Sequence, residues 1–307
     1  MSVQTTNRVL MVRPVRFAFN EETAGNNAFQ VRSASDEEAR QTQLEAVSEF
    51  DAYVALLREN GVTVDVLQDT PEPFTPDSIF PNNCFSTHDD GTLVVYPMYA
   101  RNRRREREKL LPFIGTDHYS RVVDLTHWEA EDKCLEGTGS LILDREHKVA
   151  YACLSPRTDR DVMREWAEAL DYDYFLFDSQ DEQGMPVYHT NVVMHVGTTL
   201  AVVCLDSVRE AGQRQTLKSL LEENGKTVVA ITLQQMHQFA GNMLELQGPQ
   251  GEPLLIMSLT ARRSLTTEQL LAISQHARIL SPDISAIEQA GGGSARCMMA
   301  EIFDRNA

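Results

Sequence analysis

Short β-rich runs alternate with amphipathic helices along the whole chain, in the order strand, strand, helix, strand, about five times at a period of roughly sixty residues. A unit of that size cannot bury its apolar face alone, so the repeat constrains the fold more than composition does. It implies an α/β chain with a closed, radially repeated architecture, read as one domain over residues 1–307. Val9 to Arg13 reads as a strand. Asp36 to Asn60 reads as a long helix with Leu44, Val47, Phe50, Val54 and Leu57 on one face, ended by Gly61, and Val62 to Leu67 as the returning strand. A strand at Thr92 to Tyr96, a helix at Arg103 to Leu111 and a strand at Arg121 to Leu125 follow. Ser140 to Leu143 and Lys148 to Cys153 suit a hairpin, then a helix capped by Thr158 or Asp159 runs to Leu170, and Tyr174 to Phe177 is a strand. Val192 to Val196 and Leu200 to Leu205 read as paired strands, followed by a helix at Val208 to Asn224 and a strand at Val228 to Ile231. Strands at Met243 to Leu246 and Leu254 to Met257 and a helix at Thr267 to Gln275 complete most of another unit. The units share order but little residue identity.

With 28 basic against 45 acidic residues the net charge is −17, which repels nucleic acid and anionic membranes and favours a small-molecule ligand. The cluster Arg101, Arg103, Arg104, Arg105, Arg107 and Lys109 is interleaved with Glu106 and Glu108 and reads mostly as a solvated helix face. The five cysteines are widely spaced without a zinc or C-x-x-C pattern, so reduced thiols in a cytoplasm are expected. Residues 1–10 lack a signal pattern, and the longest apolar run, Leu200 to Leu205, is too short to span a bilayer. The polar stretch with Asn20, Asn26, Asn27 and Gln30 has no periodicity and reads as a loop.

Chemistry concentrates at five places. Cys297 follows Gly291-Gly292-Gly293-Ser294-Ala295-Arg296, which puts a thiol on a mobile, turn-rich loop, where glycines let backbone approach a ligand and Arg296 would favour the thiolate. Four further segments carry polar residues beyond local need: Pro76-Asp77-Ser78-Ile79-Phe80-Pro81-Asn82-Asn83, Leu135-Glu136-Gly137-Thr138-Gly139-Ser140, Leu154-Ser155-Pro156-Arg157-Thr158-Asp159 and Tyr188-His189-Thr190-Asn191. Singly they read as turn formers, a helix cap and a core histidine. Together they supply a nucleophile, Cys297, a general acid/base, His189, and an orienting carboxylate, Glu136. Arg157 suits a bidentate pair with a substrate carboxylate. His88, His118, His127 and His147 lie in polar stretches and are expected at the surface, while His195 and His237 border apolar segments without a matched carboxylate.

These segments resemble the guanidine-modifying enzymes, which include arginine deiminases, dimethylarginine hydrolases and amidinotransferases, over essentially the whole chain. The resemblance implies a five-bladed α/β propeller of ββαβ units with pseudo-fivefold symmetry. P-D-S-I-F-P-N-N is similar to their substrate strand, L-E-G-T-G-S to the catalytic-acid turn, L-S-P-R-T to a carboxylate-binding segment, H-T-N to the histidine strand and G-G-G-S-A-R-C to the nucleophile loop. By the same comparison Arg103 falls where a substrate-contacting arginine lies. The departures bear on the substrate: Asn83 stands where guanidine-binding relatives carry aspartate, and His189-Thr190-Asn191 stands where arginine deiminases show H-x-D. Charge-assisted bonds worth about 1.5–3 kcal/mol thereby become neutral ones of about 0.5–1.5 kcal/mol. A buried guanidinium would be left uncompensated.

An uncharged ureido group suits Asn83 and Asn191, and M-V-R-P, F-N-E-E-T and G-G-G-S-A-R-C-M-M-A-E most resemble citrulline-utilisation hydrolases. The expectation is therefore hydrolysis of citrulline to ornithine, ammonia and carbon dioxide through a thiol adduct on Cys297. His189 and Glu136 assist, Arg157 with Arg103 holds the α-carboxylate, and Asn83, Asn191 and Asp77 hold the ureido group. Asp77 keeps an arginine-type substrate open. The rivals are an arginine or methylarginine amidinohydrolase, an amidinotransferase and a silent amino-acid binder. No metal or organic cofactor is expected, the partner is an amino-acid substrate, and a homodimer is the assembly considered.

Overall fold

Five three-stranded sheets carry the fold, described over residues 3–25, 27 and 29–303 of a computed structural model. Asn26 lies outside the described residues. In four sheets two strands form an antiparallel pair and the third returns parallel after one or two helices. The first of these is Phe85–Thr87, Thr92–Val95 and Arg121–Asp124, and the second Ile142–Asp144, Val149–Cys153 and Asp173–Phe177. Met194–Val196, Leu200–Val203 and Thr227–Ala230 make the third, and Leu244–Gln247, Pro253–Ile256 and Arg278–Leu280 the fourth. The fifth joins both ends of the chain, with Arg8–Arg13 antiparallel to Ala300–Glu301 and parallel to Thr63–Gln68.

The repeated strand, strand, helix, strand order and the α/β class therefore hold, but the expected closed propeller with pseudo-fivefold symmetry does not. Among the described residues the strand pairings give five small separate sheets and eleven α-helical segments, with no sheet closed into a barrel or propeller. A sequence period reports the repeated unit. It carries no information about closure, because each returning strand is satisfied within its own sheet.

Helix Asp36–Glu59 starts where Ser35 Oγ accepts from the Glu38 N–H and three acidic residues face the positive end of the helix dipole. Its buried stripe is Ala46, Phe50, Tyr53, Val54 and Leu57, while Leu44 is 66% exposed. Gln43, one turn before Ala46, continues the stripe by accepting the Phe17 N–H. Helix Arg160–Leu170 is capped by Asp159, not Thr158, and buries Val162, Met163, Trp166, Ala167 and Leu170. The expected strand at 192–196 is split: Thr190–Val193 is a helical turn and only Met194–Val196 is strand. Similar turns, Pro81–Asn83, Gly137–Ser140 and Ala295–Met298, precede three other sheets. These leading turns position the chemistry. Among the described residues no helix is long and apolar enough to cross a membrane.

Candidate functional site

The leading turns are tied to one another. Thr138 Oγ1 donates to the Asn82 carbonyl at 3.2 Å, Thr190 Oγ1 to the Ser140 carbonyl at 2.6 Å, and the Asn82 side-chain amide, turned so that its nitrogen donates, meets the Cys297 carbonyl at 2.8 Å. Two glycines permit this closeness. A Cβ on Gly139 would lie 2.1 Å from Asn83 Nδ2 and 2.9 Å from the His189 ring, and Gly137, at φ +45°, faces the Asn82 carbonyl oxygen.

On these turns the sequence-predicted residues meet. His189 Nε2 lies 2.8 Å from Glu136 Oε2, and both residues are buried. Glu136 Oε1 accepts the Tyr99 N–H at 2.9 Å, and Arg157 Nη1 stands 3.5 Å from Oε2. Burial pushes the Glu136 carboxyl up, but Arg157, His189 and Arg103 outweigh it and hold the group well below the usual carboxylate range. Burial also lowers His189, to about 4, against the opposing pull of Glu136. The resting pair is thus a carboxylate and a neutral imidazole. Because Nε2–H donates to the carboxylate, Nδ1 is the basic end.

Cys297, 4% exposed, sits on the 3₁₀ turn Ala295–Met298, and Asn191 Nδ2 donates to its sulfur at 3.4 Å. The loop is pinned, contrary to the expected mobility. Tyr188 Oη donates to the Gly292 carbonyl at 2.6 Å, Tyr53 Oη to that of Ala295 at 3.2 Å, and Gly291 and Gly293 press on the Phe80 ring. Arg296 turns its guanidinium to Glu301 and the Met299 carbonyl, each at 2.8 Å, so these hydrogen bonds go elsewhere, while its charge still interacts with the neighbouring Cys297.

A second group is charged. Arg103 Nε and Nη2 donate to the two oxygens of Glu106 at 2.8 and 3.1 Å, Nη1 to Asn83 Oδ1 at 3.1 Å and Nη2 to the Phe80 carbonyl at 2.9 Å. Four of its N–H directions are thereby used. Asp77 Oδ2 accepts from Asn20 Nδ2 at 2.7 Å and stands 3.9 Å from Arg103 Nε, while Asp77 Oδ1 and Asn191 Oδ1 are buried without a hydrogen-bond partner among the described residues. Burial raises Asp77 and Glu106, with Arg103 opposing in both. The Arg157 guanidinium lies 4.8 Å from the Tyr188 ring centroid. Asn83 donates to the Glu136 carbonyl at 3.2 Å.

The basic cluster is consequently less solvated than expected: Arg103 is buried, Arg107 pairs with Glu129, and Lys109 binds Asp69. His88, expected at the surface, is buried between Ser86 and Arg145. Residues 20–25, 27, 29 and 30 form a loop, as expected. Asn27 Nδ2 donates to the Gly291 carbonyl at 3.2 Å, and Asn20 exchanges hydrogen bonds with Asn102. Sequence reasoning missed Glu106, Asn20 and Asn242 as parts of this site. The i, i+3 spacing of Arg103 and Glu106 was a usable signal. Nothing local marks Asn242.

Residues 13–304 match the family model described as N,N dimethylarginine dimethylhydrolase, eukaryotic. No curated protein sequence matches the chain. Among solved structures, the N-terminal domain of ArgZ, an arginine dihydrolase from cyanobacteria, superposes in a substrate-bound form with TM-score 0.73 at 17% identity, covering 97% of this chain and 98% of that one. AgrE with ornithine and NAD+ gives 0.73 at 19% identity, over 98% of this chain but 40% of AgrE. DDAH from Pseudomonas aeruginosa, complexed with citrulline, gives 0.70 at 15% identity over 98% and 100% of the two chains.

Proposed function

The chain belongs to the N,N-dimethylarginine dimethylhydrolase family, and from that premise we propose that it is a cysteine-dependent hydrolase of the C–N bond in a ureido or guanidino amino acid, with citrulline the preferred substrate and ornithine, ammonia and carbon dioxide the products. The observation that carries the preference is the state of the open polar atoms. Among the described residues, the buried site atoms without a hydrogen-bond partner include one carboxylate oxygen, on Asp77, and one amide oxygen, on Asn191. A ureido group brings several N–H donors without a formal charge, so it satisfies both at lower desolvation cost than a guanidinium. The citrulline complex of the Pseudomonas aeruginosa relative supports the substrate class.

In this reading Cys297 transfers its proton to His189 Nδ1, and the sulfur electron pair forms the S–C bond at the ureido carbon. The C–N bond to the ornithine nitrogen breaks, and that nitrogen takes the proton from His189. Water then adds to the S-carbamoyl carbon as His189 accepts its proton. The S–C bond breaks, the sulfur regains a proton, and the released carbamic acid decomposes to ammonia and carbon dioxide. Glu136 holds His189 in the productive tautomer and stabilises its cation. Arg157 takes the α-carboxylate, with the remaining N–H of Arg103 as a lesser donor. Asn83, with Asp77 and Asn191, faces the ureido group in a single catalytic domain. The five unpaired cysteines support a reducing, cytoplasmic setting.

An arginine or methylarginine substrate is the second reading, favoured by the charge available on Asp77 Oδ1. Ornithine and ammonia release, measured side by side on citrulline, arginine, methylated arginines and agmatine, decides between them. Citrulline is expected to give the highest kcat/KM, and a clear win for a cationic substrate sinks the preference. Cys297→Ala should lower turnover by ~10⁴-fold or more while citrulline binding survives. Normal turnover there removes the covalent route.

A further inference from the structure

We infer that Asn242 is a catalytic residue, an amide donor that stabilises the Cys297 thiolate together with Asn191. Asn242 is fully buried in the turn that leads into strand Leu244–Gln247, the counterpart of the turns that carry Asn83, Glu136, Asn191 and Cys297. The turn is held tightly: Phe239 adopts φ +60°, the Asn242 N–H donates to the Phe239 carbonyl at 2.8 Å, and a Cβ on Gly241 would lie 2.3 Å from the Val192 carbonyl oxygen. Only glycine allows this approach, which brings Asn242 beside Asn191.

The orientation of the Asn242 amide is settled by chemistry. Its Oδ1 accepts from the Arg296 N–H at 3.0 Å, a group that can only donate, so the nitrogen must face the other way. That nitrogen donates to the Asn191 carbonyl at 3.0 Å and to Cys297 Sγ at 3.3 Å. Joining the two turns would need one amide hydrogen. The second is spent on sulfur, where Asn191 Nδ2 already donates at 3.4 Å. Thiol sulfur is a weak acceptor and thiolate a strong one, so two converging amides favour the charged form. No proton or electron changes hands through Asn242. Its bonds are strongest when the sulfur carries charge, before attack and again as the S–C bond breaks.

The inference rests on Cys297 being the nucleophile but not on citrulline being the substrate, and the test separates the two. Alkylation of Cys297 by iodoacetamide is followed against pH, by mass spectrometry, in the wild type, Asn242→Ala and Asn242→Asp. Losing one hydrogen bond to a charged group should slow alkylation of the Ala variant near neutral pH about tenfold, with the deficit recovered at higher pH. kcat should fall by a similar factor while KM holds. Asn242→Asp, of equal size, should lose more, because a carboxylate then faces the sulfur. An unchanged alkylation profile in a folded Ala variant overturns the inference. If that variant fails to fold, an unchanged profile in the Asp variant does so. A shifted profile without ornithine release from any substrate leaves Asn242 in its role and removes the proposed function.

Discussion

Around Cys297 the side-chain donors among the described residues are two neutral amides, Asn191 at 3.4 Å and Asn242 at 3.3 Å, whereas the ionisable side chains form two ion-paired sets, Arg103 with Asp77 and Glu106, and Arg157 with Glu136. The charged group looks better suited to gripping a substrate, yet most of its capacity is already committed. Arg103 is clasped by Glu106, and Glu136 is shared between His189 and Arg157. The amide group has few atoms but directs them at the Cys297 sulfur. Counting charged residues near a site therefore misjudges what a ligand meets; the unpartnered atoms matter more.

The sharpest way to break that comparison is Glu136→Gln, which keeps the size of the side chain but removes the anion beside His189. kcat should fall by ~10²–10⁴-fold, measured by ornithine release, because the imidazolium formed during turnover loses its counter-charge. A loss below about tenfold would mean that the charged network only supports the fold.

A smaller effect is expected at the junction of the two groups. Asn83 Oδ1 accepts from Arg103 Nη1 at 3.1 Å, so Asn83→Asp would create an ion pair with Arg103, and only part of the new charge would reach a ligand. The ratio of kcat/KM for arginine over citrulline should rise about tenfold, equivalent to ~1.4 kcal/mol. An unchanged ratio assigns substrate choice to Asp77 alone. Asn191→Asp is the poorer probe, since its carboxylate would sit against the Cys297 sulfur.

The committed atoms also explain what could be read from the sequence. The strand, strand, helix, strand order and the pairing of His189 with Glu136 were legible because apolar periodicity and short motifs encode them locally. Closure was not, since a repeat says nothing of how sheets end. Nor were the strands Phe85–Thr87 and Arg278–Leu280, at three residues each too short to show an alternation. The Val192 to Val196 run misled because Val192 and Val193 are apolar for reasons of burial, while Thr190 Oγ1 bonds Ser140 and bends the chain into a turn. Arg296 and Asn242 illustrate the remaining limit: adjacency places the guanidinium near the thiol, and only tertiary structure adds an amide from another turn.

The least dramatic test compares two buried histidines. His189 is lowered to about 4 beside a carboxylate, while His195 is lowered to about 3 by burial and then by Arg296, with its Nε2 unpartnered among the described residues beside a cavity of about 30 Å³ that Arg145 and Glu301 also line. Both stay neutral in the native state at neutral pH, one beside the Glu136 carboxylate and the other as part of the packing. Below the ordinary histidine value of 6.5 the unfolded chain binds a proton that native His195 refuses until about pH 3, so its contribution to stability is lost as pH falls through that window. His195→Gln removes this linkage whatever it does to absolute stability. Urea unfolding series from about pH 6 to about pH 5 should then show a flatter dependence in the variant, by up to ~1.4 kcal/mol per pH unit. Equal slopes would mean that His195 charges in the native cavity, and the contrast would lie between two titrating histidines and not between a reactive one and a silent one.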